Sequence, residues 1–94
     1  MYEVPYDKKS IEQDKYEFKI GAKTYKVRRA KHLSGNEAMA VADRQDLEAM
    51  YDLFGERGTP IGDIVREIPV SMFNDLLEDW AKSDGISLGE FLAS

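Results

Sequence analysis

The 94-residue chain contains no cysteine, which removes disulfides, thiolate metal sites and cysteine nucleophiles together. Histidine occurs once, as His32, so no histidine cluster can bind a metal, and a Ser/His/Asp triad would have to be built on that one ring. His32 sits in the basic linker Arg29-Ala30-Lys31-His32 without an acidic sequence neighbour, which reads as a surface-loop histidine. Gly55, Gly58 and Gly62 match neither nucleotide-binding glycine fingerprint and read as punctuation between helices. These absences lead to an expectation of no catalytic site, no metal and no cofactor. No apolar run approaches the roughly 20 residues of a membrane span, and no signal-peptide pattern opens the chain. The expected compartment is the cytoplasm.

Charge is plentiful but segregated. Residues 1–34 hold nine Lys/Arg against five Asp/Glu, and residues 35–94 hold four against thirteen, for a net −5. An acidic second half attracts basic protein surfaces and repels nucleic acid. Ninety-four residues make one domain with one small core.

The stretch from Asp43 to Gly85 places large apolar residues at i, i+3, i+4 and i+7 three times in succession. The sets are Leu47, Met50, Tyr51, Phe54; Ile61, Ile64, Val65, Ile68; and Phe73, Leu76, Leu77, Trp80. Each makes one apolar stripe on an α-helix, with a mostly charged face opposite. Asp43 is expected to cap the first helix, with Gly55 as its left-handed C-terminal residue. Thr59-Pro60 reads as a cap followed by proline at the first helical position. Pro69 stops the second helix, Ser71 is expected to cap the third, and Gly85 closes it. Upstream, Ser34 and Glu37 have capping-box spacing ahead of a short Ala-rich helix over Ala38–Ala42.

Residues 15–28 read as a β-hairpin. Tyr16, Phe18 and Ile20 alternate with Lys15, Glu17 and Lys19, and Tyr25 and Val27 lie on the return. A two-residue Gly21-Ala22 turn pairs Phe18 with Tyr25 and Tyr16 with Val27 on one face, and Glu17 with Lys26 and Lys15 with Arg28 on the other. The expected fold is therefore α+β, with the hairpin packed on three to four short helices over 34–85. Residues 1–14 are expected to be a flexible tail and 86–94 an apolar C-terminal tail. Trp80, Ile86, Leu88, Phe91 and Leu92 form the candidate partner-binding set, with core burial the competing reading for Trp80 and docking on the bundle for the tail.

Two further patterns carry residue types that can do chemistry. The carboxylate pairs Glu48/Asp52, Asp63/Glu67 and Asp75/Asp79 are spaced i, i+4, and paired carboxylates can bind a divalent ion or do acid–base work. With no third ligand converging, they read as a solvated acidic face. Lys15, Lys19, Lys23, Lys26, Arg28, Arg29 and Lys31, interleaved with Tyr16 and Tyr25, have the composition of a nucleic-acid surface. The aromatics are expected to face the helices, however, and the overall acidity opposes that use.

The run Tyr16-Glu17-Phe18-Lys19-Ile20-Gly21-Ala22-Lys23-Thr24-Tyr25-Lys26-Val27, followed by Lys31-His32-Leu33, resembles the opening of tail assembly chaperones of long-tailed phages and prophages of Gram-positive bacteria. Tyr51-Asp52-Leu53-Phe54-Gly55, Gly58-Thr59-Pro60, and Trp80 ahead of Gly85-Ile86-Ser87-Leu88-Gly89-Glu90 resemble the same family in order and spacing. The likeness spans most of residues 15–90. It implies a non-enzymatic protein in the bacterial host cytoplasm, absent from the finished virion, that binds the aggregation-prone tape measure protein while tail tube subunits assemble around it. Other tail proteins and further copies of the chain are the remaining partners it suggests. Many such chaperones are made in two lengths by translational frameshifting, and this chain resembles the short form. The competing classes are a small nucleic-acid-binding regulator using the basic hairpin, marked by steeply salt-dependent binding, and a structural head–tail component, found in purified virions.

Overall fold

The computed structural model describes residues 1–44 and 46–86. In chain order they form α1 (Lys8–Gln13), β1 (Lys15–Ile20), β2 (Lys23–Arg28), a single 3₁₀ turn (Ala30–His32), α2 (Gly35–Arg44), α3 (Leu47–Asp52), α4 (Pro60–Glu67) and α5 (Val70–Lys82). The hairpin has the expected antiparallel register throughout: Tyr16 faces Val27, Phe18 faces Tyr25, and Ile20 faces Lys23 across the Gly21-Ala22 turn. Gly21 has φ 62°, a left-handed conformation that glycine adopts without a Cβ clash. The α+β class follows from this hairpin and the helices packed on it.

The caps explain where each helix starts, and several differ from expectation. Asp43 lies inside α2, and Asp46 caps α3 instead, accepting from the Ala49 N–H at 2.7 Å. Ser71 lies in the first turn of α5, whose cap position is Pro69, with no side-chain cap. Ser34 and Glu37 form the expected reciprocal box: Glu37 N–H donates to Ser34 Oγ and Ser34 N–H to Glu37 Oε1, each at 3.2 Å. Thr59 Oγ1 accepts from the Gly62 N–H at 3.0 Å, with Pro60 at the first helical position. Gly85, with φ 74°, ends α5 in a Schellman motif, in which the Ile86 N–H reaches the Ala81 carbonyl. The segment expected to be a flexible tail holds α1, six residues long and capped by Asp7.

α5 lies along the hairpin. At the base of the hairpin, Trp80 Nε1–H donates to the Arg28 carbonyl at 2.8 Å and Tyr16 donates to Asp79 at 2.6 Å. At the hairpin tip, Ile20 and Gly21 border Met72 and Leu76 from the start of α5. Between these ends the apolar stripes meet in an aromatic core. Phe54, just after α3, sits 5.7 Å from Phe18, 5.6 Å from Phe73 and 5.4 Å from Trp80 by ring centroid. Val65, Phe73 and Trp80 are fully buried. Leu47, by contrast, is 42% exposed and leaves the first stripe short at its start.

Gly55 is not the left-handed cap expected of it; its role is close approach. A Cβ there would come within 2.8 Å of Thr59 Oγ1 and of the Gly62 nitrogen. Gly62 is tighter still, because its Cβ would overlap the Glu56 carbonyl. The loop after α3 thus folds back on the first turn of α4 through two glycines. Gly62→Ala should lower stability by about 1–3 kcal/mol, overpacking outweighing the helix-propensity gain. Gly35→Ala, at a helical position where a Cβ meets nothing within 4 Å, should be neutral or slightly stabilising. Thermal unfolding of the two variants beside wild type checks both signs.

Candidate functional site

Trp80 and Ile86 are the two members of the expected partner-binding set among the described residues; Leu88, Phe91 and Leu92 lie outside them. Trp80 does not present a contact surface. Its side chain is fully buried against Phe54 and tied to the hairpin through Nε1, so core burial is the correct reading of that residue. Ile86 is half-buried and packs against the core beyond the Schellman turn.

The acidic pairs separate into distinct environments. Glu48 and Asp52 do not form a solvated face. Arg66, from α4, reaches both with Nη2, at 3.0 and 2.8 Å, while its Nη1 donates to the Gly55 and Gly62 carbonyls at 3.0 and 2.7 Å. Its guanidinium lies 5.2 Å from the Tyr51 ring centroid, a cation–π distance. Arg57 makes a bidentate pair with Glu48 at 2.8 and 2.9 Å, and Arg44 pairs with Asp52 at 3.2 Å. Arg57, then Arg66, holds the Glu48 carboxyl below its ordinary value of 4.5. Sequence reasoning did not single out Arg66. Its only sequence signal is a cation beside the apolar stripe of α4, and the carboxylates it joins are on another helix.

Asp79 is the acceptor for Tyr16, whose hydroxyl pKa is raised, by burial first and by that carboxylate second. Asp63 accepts from the Gly58 N–H at 2.9 Å. Glu67, Asp75 and Glu78 are exposed, and none makes an ion pair among the described residues. The outward face of α5, Ser71, Asn74, Asp75, Glu78 and Lys82 at helical spacing, is therefore open to solvent, with two carboxylates against one cation, opposite the buried Phe73, Leu77 and Trp80.

His32 differs from the expected free loop residue. Its Nε2 lies 3.0 Å from Asp14 Oδ2, and the same carboxylate takes Arg29 Nε at 3.0 Å. Arg29 also reaches Asp84 at 3.3 Å, and Asp84 accepts from the Lys31 N–H at 3.2 Å. This cluster clips α1, the hairpin base and the end of α5 together. His32, ahead of Arg29 and Lys31, holds the Asp14 carboxyl below its ordinary value.

On the outer hairpin face, Lys26 pairs with Glu17 at 3.3 Å and Arg28 with Glu37. Burial acts to raise the Glu37 carboxyl, but the Ser34 donors and Arg28 outweigh it and lower the pKa. Tyr16 is buried and Tyr25 half-buried against the helices, so neither ring is displayed as a base-stacking platform. Among the described residues, no group of three His, Cys, Asp or Glu is placed to hold a metal, and no helix is long and apolar enough to cross a membrane.

Large apolar side chains stand exposed at two places in particular. A groove of about 250 Å³ at the hairpin tip is lined by Phe18, Ile20, Ile68, Met72 and Leu76, with Lys19 on its wall. Met72 is 59% exposed there. The other place is the arm before α1, where Met1, Tyr2, Val4 and Tyr6 are each more than 70% exposed.

The Arg66 junction sets a test. Carboxyls held low in the folded state contribute stability that is complete above their unfolded values and lost as pH falls through their folded ones. Arg66→Ala should cost about 1.5–3 kcal/mol at neutral pH, the worth of hydrogen bonds to charged groups. That deficit should shrink as acid protonates Glu48. Chemical unfolding of both proteins across the acid range reads out the convergence.

Comparison with protein-family models, with curated proteins and with solved structures finds no match to this chain.

Proposed function

We propose that the chain is a non-catalytic assembly chaperone that binds the tape measure protein of a long-tailed phage and keeps it soluble while the tail tube forms. The observation that carries the protein-binding part is the outward face of α5, where Asp75 and Glu78 stand exposed without ion-pair partners among the described residues. Elsewhere the charged clusters are used internally, with Arg66 and Arg29 each joining two carboxylates. An open acidic helix face suits basic or amphipathic helical segments of a long protein and disfavours nucleic acid. The specific partner rests on the resemblance of residues 16–27, 31–33, 51–55, 58–60 and 80–90 to tail assembly chaperones. The host-cell cytoplasm, as the compartment, rests on the same likeness.

Co-expression with the tape measure protein encoded beside it, followed by pull-down and a solubility assay, tests the proposal. The expected result is a soluble complex that weakens in Asp75→Lys/Glu78→Lys and in Phe91→Ser/Leu92→Ser, with the fold retained in both. No complex and no gain in tape-measure solubility would overturn the reading. Steeply salt-dependent capture of nucleic acid by the same protein would replace it with the regulator class.

A further inference from the structure

Three basic side chains of the 3₁₀ turn and its cap converge on one carboxylate. Asp14 lies 3.0 Å from both Arg29 Nε and His32 Nε2, and 3.7 Å from Lys31 Nζ. The turn is fixed without Asp14. Ala30 is buried in the core, and Arg29 also holds Asp84, which accepts from the Lys31 N–H. The packing of the turn thus builds a seat for a carboxylate, whichever segment supplies it.

The segment that fills the seat is weakly held. Among the described residues, every hydrogen bond and ion pair joining residues 1–14 to the rest of the molecule runs through Asp14. α1 has no buried residue, and a six-residue helix does not persist alone in water. Its apolar share is the half-buried Ile11, one helical turn before Asp14. Ile11 lines a cleft of about 460 Å³ at the hairpin base with Tyr6, Lys15, Lys31 and Leu33. Lys15 makes no ion pair among the described residues, whereas Arg28, on the same wall, is committed to Glu37. Glu12 and Glu37 also border the cleft, which opposes an unbroken run of phosphates and favours carboxylates interrupted by apolar side chains.

We infer that Arg29, Lys31 and His32 form a carboxylate-binding site for an acidic, apolar-interrupted segment of a partner protein, and that α1 with Asp14 is its displaceable internal occupant. The incoming segment supplies a carboxylate to the same three side chains and an apolar group against Leu33, and Lys15 takes a second carboxylate. Because α1 must leave first, the apparent affinity is reduced to the share of molecules in which it is undocked. This site takes segments of the opposite charge from those assigned to the α5 face, so the inference does not rest on the tape-measure reading.

Fluorescence anisotropy of a short labelled peptide repeating Leu-Glu-Glu-Asp, titrated with the full chain, tests it, with amide hydrogen exchange followed in parallel. Wild type should bind the peptide, and binding should speed exchange at the Ile11 and Asp14 amides, which α1 protects through the Asp7 and Ser10 carbonyls. Asp14→Asn should bind several-fold more tightly, because the internal occupant is weakened. Lys15→Glu/Lys31→Glu should bind about tenfold more weakly through like-charge repulsion. The same peptide with glutamine and asparagine in place of its carboxylates should not bind. The exchange readout needs wild type alone, so the test holds even if a variant fails to fold. No binding, binding that leaves the α1 amides protected, or an affinity unchanged by Asp14→Asn would overturn the inference. So would a single-stranded oligonucleotide of equal length that binds more tightly than the peptide and displaces it.

Discussion

The packing of Phe54 is the contact on which the other parts depend. Its ring meets Phe18 from the hairpin and Phe73 and Trp80 from α5, while its backbone belongs to the turn that leads from α3 towards α4. A two-stranded hairpin and a six-residue helix are each unstable alone in water. Only their shared apolar contact makes either persist, and Phe54 is where the hairpin, α3 and α5 share it. Trp80 then locks α5 to the hairpin with a directional bond, its indole N–H donating to the Arg28 carbonyl. Hydrophobic burial brings the layers together, and that bond specifies which end of α5 meets the hairpin base.

Charged residues divide into those that hold the fold and those that remain for a partner. Arg66 gathers two carboxylates of α3 and two backbone carbonyls, and so fixes α4 against α3 around the Gly55–Gly62 approach. Arg29 and Asp14 do the same at the base of the hairpin. Both clusters are partly buried, where a broken pair costs more than an exposed one. Asp75 and Glu78 lie on the opposite side of α5 from its buried stripe and serve no such purpose. They make no ion pair among the described residues, which is why the proposed function assigns its partner contact to that face.

Much of the architecture was legible in the chain, for local reasons. The hairpin register followed from alternation plus a two-residue turn, because a slip of one residue would turn every apolar side chain to water. The stripes of α4 and α5 followed from helical periodicity, and the Ser34/Glu37 and Thr59/Pro60 starts from capping chemistry between near neighbours. The misreadings also have local causes. Asp43 and Asp46 are both acceptable caps by residue type, but Asp43 falls inside α2 and Asp46 takes the cap position of α3. Gly55 looked like a left-handed terminator, yet its lack of a Cβ is needed for contact with a residue seven positions on.

The sequence alone therefore determined the α+β class, the pairing of the strands and which helix faces turn inward. Each of these depends on periodicity, turn chemistry or hydrogen bonds spanning a few residues. Tertiary structure alone decided that Arg66 would close over Glu48 and Asp52, that His32 would meet Asp14, and that Trp80 would be sealed inside. It also placed the apolar groove and the exposed arm at opposite ends of the hairpin. Those outcomes join residues many positions apart. Coulombic and apolar attractions do not depend on sequence separation, so nothing in local spacing records which distant partners the fold will bring together.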